Sequence, residues 1–443
     1  MKKSSFCKAF HLKKRFALVE IAIVLCLLFL AALPATAVAA EQDDFVLDIY
    51  GNANEDDTID IQDVTYIKRI ISGEEDKTNL ADAYYDGEID VGDIIQTKLI
   101  ILGKERKLTI IDSADRTVIV NKPVERLVCT LSHHLEALRI LEVSKNTIVG
   151  VPTDLNSVFF PEFVGKQDVG GGGGPWNPDV EMILAQDPEV VILPSCGGPY
   201  GYTADEETEL LEAAGVTVLR FCFNQPETFS DELAKSGYIF EKEDKADEFI
   251  AWHDGILSSI EEKLSGVVKK KVYSEHQPYT ISTADDDIIA AAGGEDILAG
   301  IPEEADVETL ANEEPDIVIR AVYMGETGYD LTPSPGVIGR LEGVRSEILT
   351  RATEHGWNKT AVDDESVYII SSELWTYLPA SGCRPFVGQC YLAKWFHPDL
   401  FPDEEFDPKA IHQEYLTRFQ GLDIDLDEQG VFVYHPEEHP DGN

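Results

Sequence analysis

Oxygen-bearing side chains recur at fixed spacing in two segments near the N-terminus. Asn52-Ala-Asn-Glu-Asp-Asp-Thr-Ile-Asp-Ile-Gln-Asp63 and Asp82-Ala-Tyr-Tyr-Asp-Gly-Glu-Ile-Asp-Val-Gly-Asp93 lie 30 residues apart, and Asp56, Asp60 and Asp63 recur as Asp86, Asp90 and Asp93. A hard cation such as Ca2+ is wrapped by oxygens at positions 1, 3, 5, 7, 9 and 12 of a loop of this length. The first copy offers Asn52, Asn54, Asp56, Thr58, Asp60 and Asp63; the second offers Asp82, Asp86, Glu88, Asp90 and Asp93. Each loop runs into one apolar-periodic helix, VTYIKRIISG or IIQTKLIILG. Asp57 stands where the loop turn favours glycine, which predicts strain, and Tyr84 stands where a ligand oxygen is wanted.

Further along, the elements that position a second set of residues are legible. From Glu241 to Val267 the apolar residues Ala246, Phe249, Ile250, Leu257, Ile260 and Leu264 keep the rhythm of one helix face. Such a rod is about 38 Å long, enough to join two lobes. On either side of it a pattern repeats: Asp179, Glu181, Pro188 and Ile192 recur as Asp306, Glu308, Pro315 and Ile319. Both copies read as helix, proline-marked turn and buried strand. The fold class is therefore α/β, two Rossmann-like lobes joined by one long helix, with a small all-α pair of loop–helix repeats in front.

Composition narrows the function. A formal charge of −46, with 82 acidic against 36 basic residues, is unsuited to a nucleic-acid partner. The basic N-terminus, the apolar run Ile21–Leu33 and the small residues up to Ala40 read as an export signal over residues 1–40, cleaved or retained as an anchor. The protein is expected outside the cytoplasm: extracellular, surface-held or periplasmic. Cys129, Cys196, Cys222, Cys383 and Cys390 remain beyond the signal, an odd and sparse set that gives no disulfide framework and reads mostly as buried small residues. Acidic, proline-containing residues 423–443 read as a solvated tail.

The closing Asp in place of Glu, with one helix per loop, makes residues 41–106 resemble a dockerin, which implies Ca2+ in the loops and a cohesin as partner. From Leu108 to Leu422 the motifs TIIDSADRTVIV…PVERLV, NPDVEMILAQDPEVVI, LLEAAGVTVL and YLAKWFHPDLFPDEEFDPKAIHQEYLTRFQGL resemble the cluster-III substrate-binding proteins of ABC importers, the iron–siderophore, haem and cobalamin binders. That resemblance implies a binding domain over 107–422: lobe one over 107–228, the linking helix over 241–267 and lobe two over 270–422. It also implies no enzymatic activity, a metal chelate held between the lobes, and a permease with its ATPase engaged through Glu181 and Glu308.

Ligand contacts in such a fold sit on loops that follow strand C-termini. Those loops carry Ser132 and His133 (with His134 beside them), Gly173 and Trp176, Tyr200 and Tyr202, and Asn224 in lobe one. In lobe two they carry His276, Tyr279, Arg320, Tyr323, Trp375 and Arg384. Arginine there would clamp an anionic ligand, the aromatic rings would stack on it, and a His/Tyr/Glu mixture would instead ligate ferric iron. The leading expectation is an importer's receptor for an iron chelate, haem or corrinoid. The alternative is a cohesin-docked surface component with a non-transport role. Nothing in the chain has the carboxylate context of a glycosidase or the Cys/His cluster of a chelatase-type metal enzyme.

Overall fold

The structure is a computed structural model, and it describes residues 45–442 apart from 154, 172–176, 197–201, 283–284, 301–306, 324, 358–365 and 376–381. The expected signal segment lies outside the described residues. Among those described, no helix is long and apolar enough to cross a membrane.

The two acidic loops lead into α1 (Ile61–Ser72) and α2 (Val91–Ile101), each capped by the loop's own Asp60 or Asp90. A hairpin follows, β1 (Lys107–Ile111) against β2 (Thr117–Asn121). Lobe one then runs β3 (Leu127–Cys129), α3 (Ser132–Ile140), β4 (Ile148–Val151), β5 (Gln167–Asp168), α4 (Val180–Leu184), β6 (Val190–Leu193), α5 (Asp205–Ala213) and β7 (Thr217–Arg220). Its five strands are all parallel, in the order β5-β4-β3-β6-β7. Helices α6 (Pro226–Phe240) and α7 (Glu243–Leu264) cross to lobe two.

Lobe two comprises β8 (Lys270–Glu275), α8 (Asp286–Ala291), β9 (Gly294–Asp296), α9 (Val307–Glu313), β10 (Ile317–Val322), α10 (Pro335–His355), β11 (Val367–Ser371), α11 (Pro385–Phe396), α12 (Pro408–Glu414) and β12 (Val433–Tyr434). Its sheet order is β12-β11-β10-β8-β9, with only β12 antiparallel. Strands such as VVIL of β6 and VYIIS of β11 are buried along their whole length, as a parallel sheet covered on both faces requires.

The linking helix is 22 residues, about 33 Å long. It starts at Glu243, after Glu241 turns the chain in the left-handed region, and its Ala246, Phe249, Ile250, His253 and Ile260 are buried. Phe249 meets Phe229 at 5.9 Å, before the helix, and Phe386 at 6.4 Å, in lobe two. Trp252 adds Phe386 at 5.5 Å and Phe419 at 4.7 Å. This aromatic seam seats the rod against both lobes.

Two sequence expectations change. Residues 45–106 are not separated from lobe one: the chain at 48–50 pairs with β1 through Tyr50 N–H to Thr109 O (2.9 Å) and Ile111 N–H to Asp48 O (2.9 Å). Ile59 of the first loop enters the same core, and its N–H donates to the Tyr238 hydroxyl of α6 at 3.2 Å. A fully buried Lys122–Glu105 pair closes the junction.

Residues 423–442 are not a solvated tail either. Ile424, Leu426 and Val431–Tyr434 are buried, and Tyr368 stacks between Trp395 (4.5 Å) and His435 (4.7 Å). The acidic flanks conceal a four-residue apolar run long enough to add an edge strand to β11. Ending the chain after Leu422 is therefore expected to remove roughly 10 kcal/mol of buried apolar side chain and lower the Tm by about 10 °C. A thermal melt unchanged by the truncation would restore the tail reading.

Candidate functional site

At the C-terminal end of β8, Glu275 is completely buried and gathers cations. Arg320 of β10 donates to it at 3.3 Å, Arg351 of α10 at 2.5 Å, and the Tyr273 hydroxyl at 2.7 Å. Arg351 also lies over the Tyr279 ring, 4.6 Å from its centroid, while the Tyr279 N–H donates to Glu275 at 3.0 Å. Arg320 is thus held by a carboxylate from its neighbouring strand.

The next residue, His276, belongs to a second array. Asp285, fully buried, accepts from His276 Nε2 at 3.0 Å, from Ser274 Oγ at 2.9 Å and from the Trp375 indole at 2.9 Å. With Nε2 as donor, His276 Nδ1 is an acceptor, and the Tyr323 hydroxyl lies 3.2 Å from it. Tyr323 is 48 % exposed, so the array runs from a buried carboxylate to an accessible phenol. Burial, then the Asp285 charge, raises the Tyr323 phenol above its ordinary value. Trp375 has no exposed surface and serves as a donor to Asp285, not as a stacking platform.

Arg384 sits between the lobes. Its guanidinium meets Glu136 of α3 at 3.0 Å and Glu373, which follows β11, at 3.2 Å, with the Phe159 and Tyr329 rings on its faces at 4.6 and 5.3 Å. Tyr415 donates to the same Glu136 at 2.5 Å. Gly382, at φ +57°, lets the loop approach, since a Cβ there would collide with Glu136 Oε2. The arginine expected as a ligand clamp is instead an interlobe tie.

In lobe one, Ser132 is half-buried at the start of α3, and His133 and His134 are fully buried, their rings stacked at 5.5 Å. Burial, with Arg384 adding to it, pushes His133 down to about 3, so it is neutral. His134 Nε2 donates to Phe221 O at 3.1 Å, a structural role. Asn224 is nearly buried just past Phe223, a non-glycine residue at φ +58°. That turn is held by Glu232 of α6, which accepts the Cys222 N–H at 3.0 Å and the Phe223 N–H. Cys196 and Cys222 form a disulfide, a pairing for which the sparse cysteine set gives no framework; the bond ties the loop after β6 to the end of β7, a proximity across neighbouring strands that spacing in sequence does not reveal. Cys129, Cys383 and Cys390 are free and buried. Tyr202 is half-buried; Gly173, Trp176 and Tyr200 lie outside the described residues.

The cleft loops thus bring together His276, Tyr279, Tyr323, Trp375 and Arg320 on one side, and Ser132, His133 and Asn224 on the other. Asp285, Glu136, Arg351 and Glu232 were not singled out from sequence. All four act from helices or helix ends, away from the strand-end loops on which ligand contacts are expected in such a fold. Glu181 and Glu308 are exposed in the first turns of α4 and α9, one on each lobe.

The acidic loops share one hydrogen-bond scheme. Asp63 accepts from Asn54 N–H (3.2 Å) and Asp60 N–H (2.8 Å), and Asp93 accepts from Tyr84 N–H (2.9 Å) and Asp90 N–H (2.7 Å). At position 1, Asn52 and Asp82 accept from Asp56 and Asp86 N–H at 3.2 and 3.1 Å. At position 5, Asp56 and Asp86 accept from Thr58 and Glu88 N–H. Gly87 is at φ +91°, whereas Asp57 is not in the left-handed region, so the strain expected at Asp57 is absent; both loops instead place a non-glycine residue, Glu55 or Tyr85, at φ +56°. Burial, aided by Asp56, raises Asp63 to about 6, and burial likewise raises Asp93. Among the described residues no group of three or more His, Cys, Asp or Glu side chains is arranged to hold a metal ion. The donor set is all oxygen, fitting Ca2+ in chemistry, but its carboxylates are bonded to backbone amides instead of converging.

One guanidinium cannot neutralise both buried carboxylates around it. Burial, only partly opposed by Arg384, raises Glu373 from 4.5 to about 7. A carboxyl whose folded value is raised keeps its proton longer in the native state, so its contribution is fully present below pH 4.5 and is lost as pH rises through about 7. Urea melts at pH 5 and pH 8 should show wild type losing more stability over that interval than Glu373→Gln; equal losses would refute the assignment.

A family model described as periplasmic binding protein matches residues 139–330. No curated protein matches the chain. Among solved structures, the TroA-like periplasmic binding protein FepB of Veillonella parvula superposes with a TM-score of 0.59 at 20% identity, over 74% of this chain and 99% of that one. MolA of Haemophilus influenzae, bound to molybdate, gives 0.51 at 17% identity over 71% and 98%. Helicobacter pylori CeuE with Ni(II) bound gives 0.50 at 17% identity over 71% and 96%. At these identities the structures speak for the fold, two parallel-sheet lobes. Residues 139–330, under half of the chain, thus match the periplasmic binding protein family model, and the likeness to solved structures shows the same two-lobed fold.

Proposed function

We propose that the protein captures a metal chelate, an iron complex, haem or corrinoid, in its interlobe cleft and hands it to an importer's permease. The observation that carries the ligand assignment is the Asp285–His276–Tyr323 array at the cleft rim. Asp285 fixes the imidazole so that Nδ1 faces the phenol. When a metal centre displaces the phenolic proton, that proton passes to Nδ1, and Asp285 stabilises the imidazolium. Because the phenol is raised, phenolate forms only against an incoming positive centre. Glu181 and Glu308 are the proposed contacts to permease arginines.

Protein purified from its native source is expected to carry a coloured ligand, seen by absorption and weighed by native mass spectrometry. Tyr323→Phe and His276→Ala should each lower loading about tenfold or more with folding intact. Undiminished loading in both would remove the array from the site.

The loops at 52–63 and 82–93 are proposed to take Ca2+, with Asp56, Asp60, Asp63, Asp86, Asp90 and Asp93 turning from their amide partners towards the ion and Glu88 joining them. The shared hydrogen-bond scheme supports this reading, as do the raised Asp63 and Asp93. A cohesin-type partner would meet the outer face, where Ile61, Val91, Ile95 and Leu102 are exposed. Calcium added to chelator-treated protein should raise the Tm by a few degrees, on the order of 2–3 kcal/mol at a hundredfold excess over Kd. Asp63→Asn with Asp93→Asn should abolish the shift; a calcium-independent melt of the wild type would end the proposal.

A further inference from the structure

The linking helix carries a histidine that nothing above employs. His253 of α7 is only 7 % exposed, and its Nδ1 lies 2.7 Å from Asp254 Oδ1. Asp254 in turn accepts from Ser230 Oγ of α6 at 3.2 Å. A carboxylate only accepts, so Nδ1 carries the imidazole proton and Nε2 keeps a lone pair. The ring is clamped by Phe229 and Phe386, each at 5.0 Å, and by Phe249 at 5.7 Å, so it is held in this orientation. Among the described residues Nε2 has no hydrogen-bond partner.

His253 is a wall of a pocket that opens between the end of β7, α7 and the start of α11. Asp254 is not among the walls, so the edge of the ring that faces the pocket is the one with Nε2. The apolar walls are Phe223, Pro226, Phe229, Leu257, Pro385 and Phe386, and no lysine, arginine, aspartate or glutamate lines the space. The other polar walls are engaged. Gln225 donates to Asn224 Oδ1 at 3.4 Å, Gln389 to Ala291 O at 3.1 Å, and the Cys383 thiol to His133 O at 3.6 Å. Phe223 stands at φ +58°, a costly conformation for a bulky residue, held by the Glu232 carboxylate and beside the Cys196–Cys222 disulfide. That wall is set before any ligand arrives.

We propose that this pocket binds a small uncharged hydroxyl compound, a phenol or short alkanol, whose O–H donates to His253 Nε2 while its apolar body lies against Phe229, Leu257 and Phe386. The cavity volume is about 30 Å³, room for about two waters, so the hydroxyl end enters and the remainder fills the open mouth. A water there meets one acceptor where it needs two to four partners, and an apolar group with a single donor displaces it favourably. The ligand's O–H also satisfies a buried lone pair that is costly to leave unmade. A charged ligand finds no counter-charge on the walls. Because the walls come from lobe one, the linking helix and lobe two, an occupant bridges all three and stabilises them together by mass action. The site is separate from the Asp285–His276–Tyr323 array, none of whose residues lines it, and does not depend on the receptor reading.

Three fluorinated probes test this on the full chain by fluorine NMR: 4-fluorophenol, 4-fluoroanisole, which lacks the donor, and 4-fluorobenzoate, which is charged. The phenol should bind saturably with a Kd of about 1 mM or below, the anisole at least about tenfold more weakly, and the benzoate not measurably. His253→Phe keeps the ring and removes the acceptor, so it should bring the phenol down to the anisole's affinity and leave the anisole unchanged. Leu257→Trp should fill the pocket and abolish binding of both. Thermal melts check that the variants fold, and the comparison of the three probes on the wild type decides by itself if one does not. Equal affinity for phenol and anisole, or phenol binding that survives His253→Phe, overturns the proposal. So does binding of none of the probes, the result for a mere packing gap. Each of these outcomes leaves the receptor reading where it stands.

Discussion

Arg384 holds two buried carboxylates, one from each lobe, and the arrangement of the cleft depends on that junction. Removing either partner of such a buried set typically costs about 3–5 kcal/mol, because a desolvated charge is left behind. The junction is reinforced by hydrogen bonds to Glu136 from Tyr415 and by aromatic faces on the guanidinium, so its geometry is set from several directions. Together with the aromatic seam along α7, it ties the lobes at two places. Lobes so tied hold the loops at their strand ends in a fixed relation, the condition for pre-organised binding.

The same economy of charge governs the second lobe. Glu275 collects Arg320 and Arg351, and Asp285 collects His276, Ser274 and Trp375. These acids remove positive charge and conformational freedom from side chains that a sequence reading assigns to the ligand. What remains accessible is a phenol and aromatic surface. The buried carboxylates thus decide which of these strand-end side chains are still available.

The loop–helix repeats belong to the same body. Their first loop sends Ile59 into the lobe-one core, and the strand segment at 48–50 extends the β1–β2 hairpin. Anything that orders or displaces that loop acts directly on α6, through Tyr238, and so on the helix pair that links the lobes. Two modules of one chain usually share only a linker; here they share a core.

Much of the architecture followed from local pattern. The helix–proline–strand repeat at 179–192 and 306–319, the hairpin, the apolar face of the linking helix and the paired acidic loops are short-range signals, set by periodicity and by residues a few positions apart. By itself the sequence also determined the strong net acidity of the chain. Only the tertiary structure decided how those acids are used. Glu136 and Arg384 are 248 positions apart, Tyr415 and Glu136 are 279, and the Cys196–Cys222 pair meets across neighbouring strands. The apolar run at 431–434 reads as a tail until the open edge of β11 is in view. Pairing of buried charges and closure of a sheet edge are long-range events, fixed by which surfaces desolvate together. A single chain read in order carries no trace of them.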